Sequence, residues 1–169
     1  MGIKLFLIRH GQTSWNVEGR YQGSCDIELN STGIQQAELA SKYLSRVKFS
    51  NIYSSPLKRT MKTADIISGK SGQEIKILGE LEEVDFGKWE GLKFHEIDKE
   101  YHGDYQQWLA DPYNNCPTGG ENFKELTLRT TSIIDKIVAE NADDSSVAIV
   151  THGGVILSLL VHWLQIPLP

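Results

Sequence analysis

The sequence predicts an α/β fold, in which a mostly parallel central sheet lies between two layers of helices as a three-layer sandwich. Two short apolar runs, residues 3–8 and 147–151, are typical of strands that are buried on both faces. Between these runs, strand-like segments alternate with longer segments that have helical spacing. Because no repeat, linker or change in composition divides residues 1–169, a single domain is expected.

The composition narrows the classes of function. Seventeen Lys and Arg residues against 22 Asp and Glu residues give a net charge of −5, which argues against a nucleic-acid partner. Cys25 and Cys116 lie in no paired motif, so we expect free thiols in a reducing compartment. Without a signal-like opening or a membrane-length apolar run, the sequence predicts a cytoplasmic protein that binds no membrane. A monomer or a homodimer is expected.

The segment after the first strand is polar and contains several glycines. Residues 14–29 therefore predict a long loop, a length that is uncommon in a compact domain unless the loop has a function. Thr32, with Gln35 three residues later, resembles a capping box. The helix that this box would open runs to about Val47.

A second helix is predicted after a short strand at residues 51–54. Ser55 is a favourable N-cap and Pro56 suits the first helical position, so the helix is expected from there to about Ser68. Alternation over residues 74–78 then indicates another strand.

The second half of the chain begins with an acidic, aromatic loop at residues 80–92. An interrupted helix is predicted over residues 93–109, and a loop rich in turn residues over 111–120. The longest helix is expected at residues 121–141, and the final one at 155–164.

Both apolar strands end in a histidine followed by glycine. The first is followed by Arg9, His10 and Gly11, and the second by His152 and Gly153. The carboxyl ends of parallel strands are where open α/β sheets bind ligands. One such strand end is equally consistent with a solvated histidine, but its repetition in one domain favours a functional site.

Arg9-His10-Gly11 after the first strand, together with Thr151-His152-Gly153-Gly154, resembles the histidine phosphatase superfamily. The resemblance runs from about residue 3 to 164 and implies a phosphoglycerate mutase-like fold with one catalytic domain over residues 1–169. It also implies a phosphohistidine mechanism that needs no metal and no cofactor. The substrate would be a small-molecule phosphate ester.

The resemblance makes His10 the nucleophile and assigns contacts with the phosphate or the rest of the substrate to seven further residues: Arg9, Asn16, Gln22, Gly23, Arg59, His152 and Gly153. Guanidinium groups match the oxygens of a phosphoryl group in transfer. Neighbouring positive charge also favours the neutral, nucleophilic form of His10. The other ring nitrogen would be oriented by an acceptor such as a backbone carbonyl.

The leaving oxygen needs a proton, and a carboxyl group can supply it and then activate a water. The family pattern places this acid four residues before Gly87, which selects Glu83 and leaves Glu82 as the alternative. On an extended backbone these two side chains point to opposite faces, so only one of them can face the pocket.

Within the family, the length of 169 residues favours a phosphatase over a mutase, and the specific expectation is an alpha-ribazole 5′-phosphate phosphatase of cobalamin biosynthesis. Five aromatic residues in the second half of the chain would suit a planar benzimidazole, although such residues more often belong to the core. They are Trp89, Tyr101, Tyr105, Trp108 and Tyr113. A broad-specificity phosphatase, a phosphoglycerate mutase and a phospho-ligand-binding module without turnover are the alternatives. Two positions depart from the family: Asn122 stands where serine is common, and the chain ends at Pro169, where a further strand usually follows.

Overall fold

The computed structural model describes residues 2–69 and 73–166. Its strands in these ranges are β1 (Lys4–Arg9), β2 (Asn51–Ser54), β3 (Ile75–Ile77) and β4 (Ser146–Thr151). The α-helices are α1 (Ser14–Glu18), α2 (Ser31–Leu44), α3 (Lys58–Ser68), α4 (Phe94–Glu100), α5 (His102–Ala110), α6 (Phe123–Glu140) and α7 (Gly153–Leu164). Two 3₁₀ turns, Gly79–Leu81 and Gly87–Trp89, lie in the connection between β3 and α4.

The strands form one parallel sheet in the order β1-β4-β2-β3. The register pairs Arg9 with Thr151 and Ser54 with Val150, so the carboxyl ends of β1, β4 and β2 meet at one edge. This topology confirms the predicted α/β class. It also brings the two histidines that follow β1 and β4 next to each other.

The sheet separates two hydrophobic clusters, because successive strand side chains point to opposite faces. Val147 and Ile149 of β4 pack into the cluster that α6 and α7 cover. Ala148 and Val150 pack into the other, which α3 and the end of α2 cover. Helices on both faces confirm the three-layer arrangement.

The predicted boundaries of the first two helices were wrong. Part of the expected loop is α1, which Thr13 and Asn16 open with a capping box. One and a half turns are too short to show an apolar period. The N-cap of α2 is Asn30 rather than Thr32, because Asn30 Oδ1 accepts from the Gly33 N–H at 2.8 Å.

The start of α3 also differs from the prediction. Leu57, which offers no side-chain cap, precedes the helix, and Asp26 Oδ1 instead accepts from the Lys58 N–H at 2.6 Å. A remote residue therefore caps this helix. Ser55 Oγ accepts only a long bond of 3.5 Å from the Leu57 N–H and also contacts His152, as described below.

Asn122 caps α6 through a capping box with Glu125, so asparagine performs at this position the capping that a serine could perform. In the described ranges, no helix combines the length and the apolar character needed to cross a membrane. Pro169, where the chain was expected to lack a further strand, lies outside the described residues.

Candidate active site

A cavity of about 210 Å³ lies at the edge of the sheet where β1, β4 and β2 end. Its lining contains six of the predicted site residues and four others: Arg9, His10, Gly19, Arg20, Tyr21, Gln22, Gly23, Arg59, Glu83 and Phe86. Three larger grooves in the described part of the chain, of about 660, 550 and 410 Å³, lie beside α2 and α3, but no histidine lines any of them. The small cavity is therefore the one with reactive side chains.

His10 is buried directly after β1, and its backbone N–H donates to the Thr151 carbonyl at 3.0 Å. Its Nδ1 lies 2.7 Å from the Gly11 carbonyl oxygen, so Nδ1 carries the proton and Nε2 keeps its lone pair. Burial, with smaller contributions from Arg59 and Arg9, lowers the pKa of His10 to about 4 despite the bond to Gly11. The ring is thus neutral and nucleophilic at neutral pH.

Arg59 lies in the first turn of α3 and is fully buried. Its Nη1 donates to the Cys25 carbonyl at 2.6 Å, its Nη2 to the Gly23 carbonyl at 2.7 Å, and its Nε to His152 Nδ1 at 3.3 Å. Burial lowers the pKa of Arg59, and the charge of Glu83 opposes this effect. Each terminal nitrogen keeps a second N–H, so the guanidinium can still bind an anion.

His152 is fully buried between Arg59 and the nucleophile. Because its Nδ1 accepts from Arg59, its Nε2 carries the proton and donates to Ser55 Oγ at 2.9 Å. Its ring stands edge-on to His10, with 5.2 Å between centroids. Burial, followed by the Arg59 charge, holds the pKa of His152 well below 6.5. His152 does not line the cavity, and its contact with phosphate stays a prediction.

Glu83, rather than Glu82, lines the cavity. One carboxylate oxygen accepts from the Val84 N–H at 3.0 Å, and the other from the Gly154 N–H at 3.1 Å, in the first turn of α7. Burial raises the pKa of Glu83 despite these two bonds and the nearby positive charge of Arg59. A Cβ at Gly154 would lie 2.4 Å from Glu83 Oε1, so this contact requires glycine.

The other predicted residues differ in their placement. Arg9 is exposed at the cavity, and its guanidinium carbon is 3.5 Å from where a Cβ on Gly153 would lie. Gln22 is buried, and its Oε1 accepts from Thr13 Oγ1 at 2.9 Å. Asn16 lies outside the lining, because its Oδ1 accepts from the Thr13 N–H in the cap of α1. Its contact with substrate remains a prediction.

Gly23 holds the loop that carries the acceptors of Arg59. Its φ is +50°, and a Cβ there would lie 1.9 Å from Glu90 Oε1. The same carboxylate accepts from the Ser24 N–H at 2.8 Å and from its hydroxyl at 2.9 Å. Glu90 therefore ties this loop to the segment that contains Phe86.

Tyr21 and Phe86 form an aromatic side of the cavity, with ring centroids 4.7 Å apart in an edge-to-face pair. Trp89, Tyr105 and Trp108 pack against this pair without lining the cavity. The predicted aromatic segment is thus mainly packing, and the two aromatic lining residues were missed because they stand in separate loops.

Ser55 and Gly154 were also missed as site residues. Ser55 follows β2, whose carboxyl end meets those of β1 and β4, so the strand order would have indicated it. Gly154 follows a predicted site residue, but only the structure shows that its N–H reaches Glu83. No group of three or more His, Cys, Asp or Glu side chains is placed to hold a metal ion among the residues described.

The arrangement combines a neutral imidazole, three guanidinium groups and a carboxyl group of raised pKa around one small cavity. Guanidinium groups stabilise the charge that spreads over a phosphoryl group during transfer. A carboxyl group of raised pKa can donate a proton to a leaving oxygen. These groups together suit phosphoryl transfer to His10.

A sequence model of the histidine phosphatase superfamily (branch 1) matches residues 5–169. Among curated relatives, phosphoglycerate mutase-like protein 4 of Arabidopsis thaliana is 38% identical over 92% of this chain and 69% of its own length. Phosphoserine phosphatase 1 of Hydrogenobacter thermophilus is 35% identical over 89% of this chain and 71% of its own length.

The solved structure of the alpha-ribazole phosphatase from Shigella flexneri superposes with a TM-score of 0.90. It is 31% identical, and the match covers 96% of this chain and 80% of the solved chain. These relatives are named for different activities.

Proposed function

We propose that this chain, which belongs to the histidine phosphatase superfamily and is a phosphatase of that family, hydrolyses phosphomonoesters through a phosphohistidine on His10. The observation that carries the proposal is the state of this histidine. Its Nδ1 donates to the Gly11 carbonyl and its pKa is lowered to about 4, so Nε2 offers a free lone pair to the cavity. That nitrogen is the attacking atom.

In the first step, the Nε2 lone pair attacks phosphorus and the bond between phosphorus and the ester oxygen breaks. The leaving alkoxide takes the proton of the Glu83 carboxyl group, whose raised pKa keeps a protonated fraction available. Arg9 and Arg59 stabilise the equatorial oxygens. The Gly11 carbonyl stabilises the ring, which becomes cationic when Nε2 is phosphorylated.

In the second step, water attacks phosphorus while the Glu83 carboxylate takes a proton from it. The bond between phosphorus and Nε2 then breaks, which releases inorganic phosphate and restores a neutral His10 and a protonated Glu83. Because two guanidinium groups supply positive charge beside the phosphoryl group, the proposed route needs no metal ion.

For the substrate, we propose alpha-ribazole 5′-phosphate, in the cobalamin pathway. One support is the solved alpha-ribazole phosphatase, which has this fold. The other is the Tyr21–Phe86 pair of this chain, whose two rings suit a planar benzimidazole. A broad-specificity phosphatase is the second candidate, because the phosphoserine-directed relative is equally similar in sequence. The two free cysteines favour a cytoplasmic location, since unpaired thiols persist in a reducing compartment.

The test measures phosphate release in the presence of EDTA from alpha-ribazole 5′-phosphate, 3-phosphoglycerate and an aryl phosphate. A kcat/KM at least about tenfold higher for the ribazole ester supports the specific substrate, and similar values for all three support broad specificity. Rapid quenching with a ³²P-labelled ester should also yield an acid-labile, alkali-stable phosphoprotein. Absence of turnover on every ester would contradict the proposal and favour a phospho-ligand-binding module.

A further inference from the structure

The guanidinium of Arg129 in α6 is fully engaged with protein acceptors. Its Nη1 donates to the Glu80 carbonyl at 2.8 Å and to the Glu82 carbonyl at 2.9 Å. Its Nη2 donates to the Glu83 carbonyl at 3.0 Å and to the Glu121 carboxylate, which also accepts from Nε at 3.0 Å. These bonds use all five N–H donors of an arginine, so Arg129 has none left for a phosphate ligand.

The acceptors of Arg129 belong mainly to the segment that carries Glu83. The remaining carbonyl in this run, that of Leu81, accepts from Thr151 Oγ1 at 2.7 Å. The four successive carbonyls of residues 80–83 are therefore all bound, three by α6 and one by the end of β4. Such complete pairing fixes the path of a segment that is otherwise irregular.

Glu121 fixes the same segment beyond Glu83. Its backbone N–H donates to the Asp85 carbonyl at 2.9 Å, and its Oε1 accepts from the Asp85 N–H at 3.1 Å. A Cβ at the preceding Gly120 would lie 2.1 Å from the Asp85 carbonyl oxygen, so the close approach requires glycine. The backbone is thus held on both sides of the proposed acid.

We propose that Arg129 and Glu121 are positioning residues, which hold the backbone of residues 80–85 so that the Glu83 carboxyl group reaches the cavity. This inference rests on the proposed function of Glu83 as the proton donor. Neither positioning residue lines the cavity, and their side chains are only 25% and 18% exposed. A displacement of about 1 Å at a catalytic group can lower a rate about 100-fold, which is the scale of effect expected.

Three substitutions separate the geometry of the contacts made by Arg129 and Glu121 from the charge of these residues. Arg129→Met removes all five donors, whereas Arg129→Lys keeps the charge but not the planar fork that reaches several acceptors at once. Glu121→Gln keeps an acceptor oxygen for Asp85 and weakens the pair with Arg129. Arg46→Met removes an exposed arginine beyond α2 and is the matched control.

The experiment compares kcat/KM for an alkyl phosphate and for 4-nitrophenyl phosphate in each variant. The value of kcat/KM reports the steps up to departure of the leaving group. A nitrophenolate leaving group departs without taking a proton, so its ester does not depend on the acid. Arg129→Met should lower kcat/KM about 30- to 100-fold for the alkyl ester and less than about threefold for the aryl ester. Arg129→Lys and Glu121→Gln should also lower kcat/KM mainly for the alkyl ester, but by a smaller factor. Arg46→Met should leave kcat/KM unchanged for both esters.

Glu83→Gln serves as the reference for the proposed function. If Glu83→Gln lowers kcat/KM equally for both esters, the role of Glu83 as acid is wrong. If Glu83→Gln lowers kcat/KM mainly for the alkyl ester, but the Arg129 and Glu121 variants lower kcat/KM equally for both esters or for neither, the positioning role alone is wrong. Because Arg129→Met can prevent folding, thermal unfolding is measured for each variant, and Glu121→Gln carries the same test if the methionine variant unfolds.

Discussion

His10 and Arg59 line one side of the cavity and His152 packs behind them, all near the carboxyl ends of parallel strands, whereas the side that carries Tyr21, Glu83 and Phe86 is made of loops. We call these the sheet wall and the loop wall. In the sheet wall, each side chain is more than nine-tenths buried and is bound by backbone or by another member of the wall. The loop wall depends instead on contacts that reach it from outside the cavity.

This difference separates two tasks. Under the proposed function, the sheet wall gives the phosphoryl group a fixed environment that does not depend on the alcohol part of the ester. The loop wall contributes the proposed acid and two aromatic rings to the cavity, and under the proposed function this side receives the leaving group. Changes in the sheet wall should therefore affect all esters alike, and changes in the loop wall should affect some esters more than others.

The largest expected effect is in the sheet wall. His10→Ala should lower kcat at least about 1,000-fold for every ester, because no nucleophile remains to form the covalent intermediate. Phosphate binding, measured by calorimetry, should remain within about threefold, since Arg9 and Arg59 are unchanged. His95→Ala, an exposed histidine in α4, is the control. Hydrolysis by His10→Ala within tenfold of the original rate would contradict the mechanism.

The second effect is expected in the loop wall and depends on pH. Burial raises the pKa of Glu83, and its protonated form is the donor, so kcat/KM for alkyl esters should fall as pH rises through that pKa. Glu83→Gln should abolish this basic limb and lower kcat/KM about 100-fold for alkyl esters, with only a few-fold loss for aryl esters. A Glu82→Gln variant should keep the limb; if Glu82→Gln loses it instead, Glu82 is the acid.

The same division explains what the sequence could predict. Strand ends are readable, because a short apolar run followed by His-Gly places each histidine at the carboxyl edge of a parallel sheet. Ser55, interpreted as a helix cap, was missed because Asp26, 32 residues away from Lys58, caps α3 in its place. Local patterns contain no information on such tertiary contacts.

The loop wall was only partly predictable, for a related reason. Glu83 was identified through a family pattern. The hydrogen bonds that Arg129 and Gly154 donate to Glu83, however, connect residues 46 and 71 positions apart in the sequence. Tyr21 and Phe86 meet across 65 residues that no single periodicity connects. Loop geometry is set by such long-range hydrogen bonds and contacts, and a single sequence does not show them.

The third prediction concerns the stability of the sheet wall. His152 is buried with a pKa well below 6.5, so below pH 6.5 the unfolded chain binds a proton that the folded chain does not. Stability should therefore fall as pH decreases from 7 to 5, by up to about 1.4 kcal/mol per pH unit from this residue. In urea denaturation, His152→Gln should reduce the loss over this range, by at most about 2 kcal/mol. The exposed His95→Gln is the control, and an unchanged pH dependence in His152→Gln would refute the assignment.

The smallest expected effect tests whether the loop wall selects the substrate. Phe86→Leu keeps an apolar side chain but removes a ring from the pair with Tyr21, and one aromatic contact contributes about 0.5–1.5 kcal/mol. We therefore expect kcat/KM for alpha-ribazole 5′-phosphate to fall about three- to tenfold, with less than a twofold change for glycerol phosphate. Tyr113→Leu is a matched control, because this aromatic residue lies outside the cavity lining. An equal loss for both esters would mean that Phe86 supports the packing of the loop and not the choice of leaving group, because the sheet wall binds the phosphoryl group of both esters in the same way.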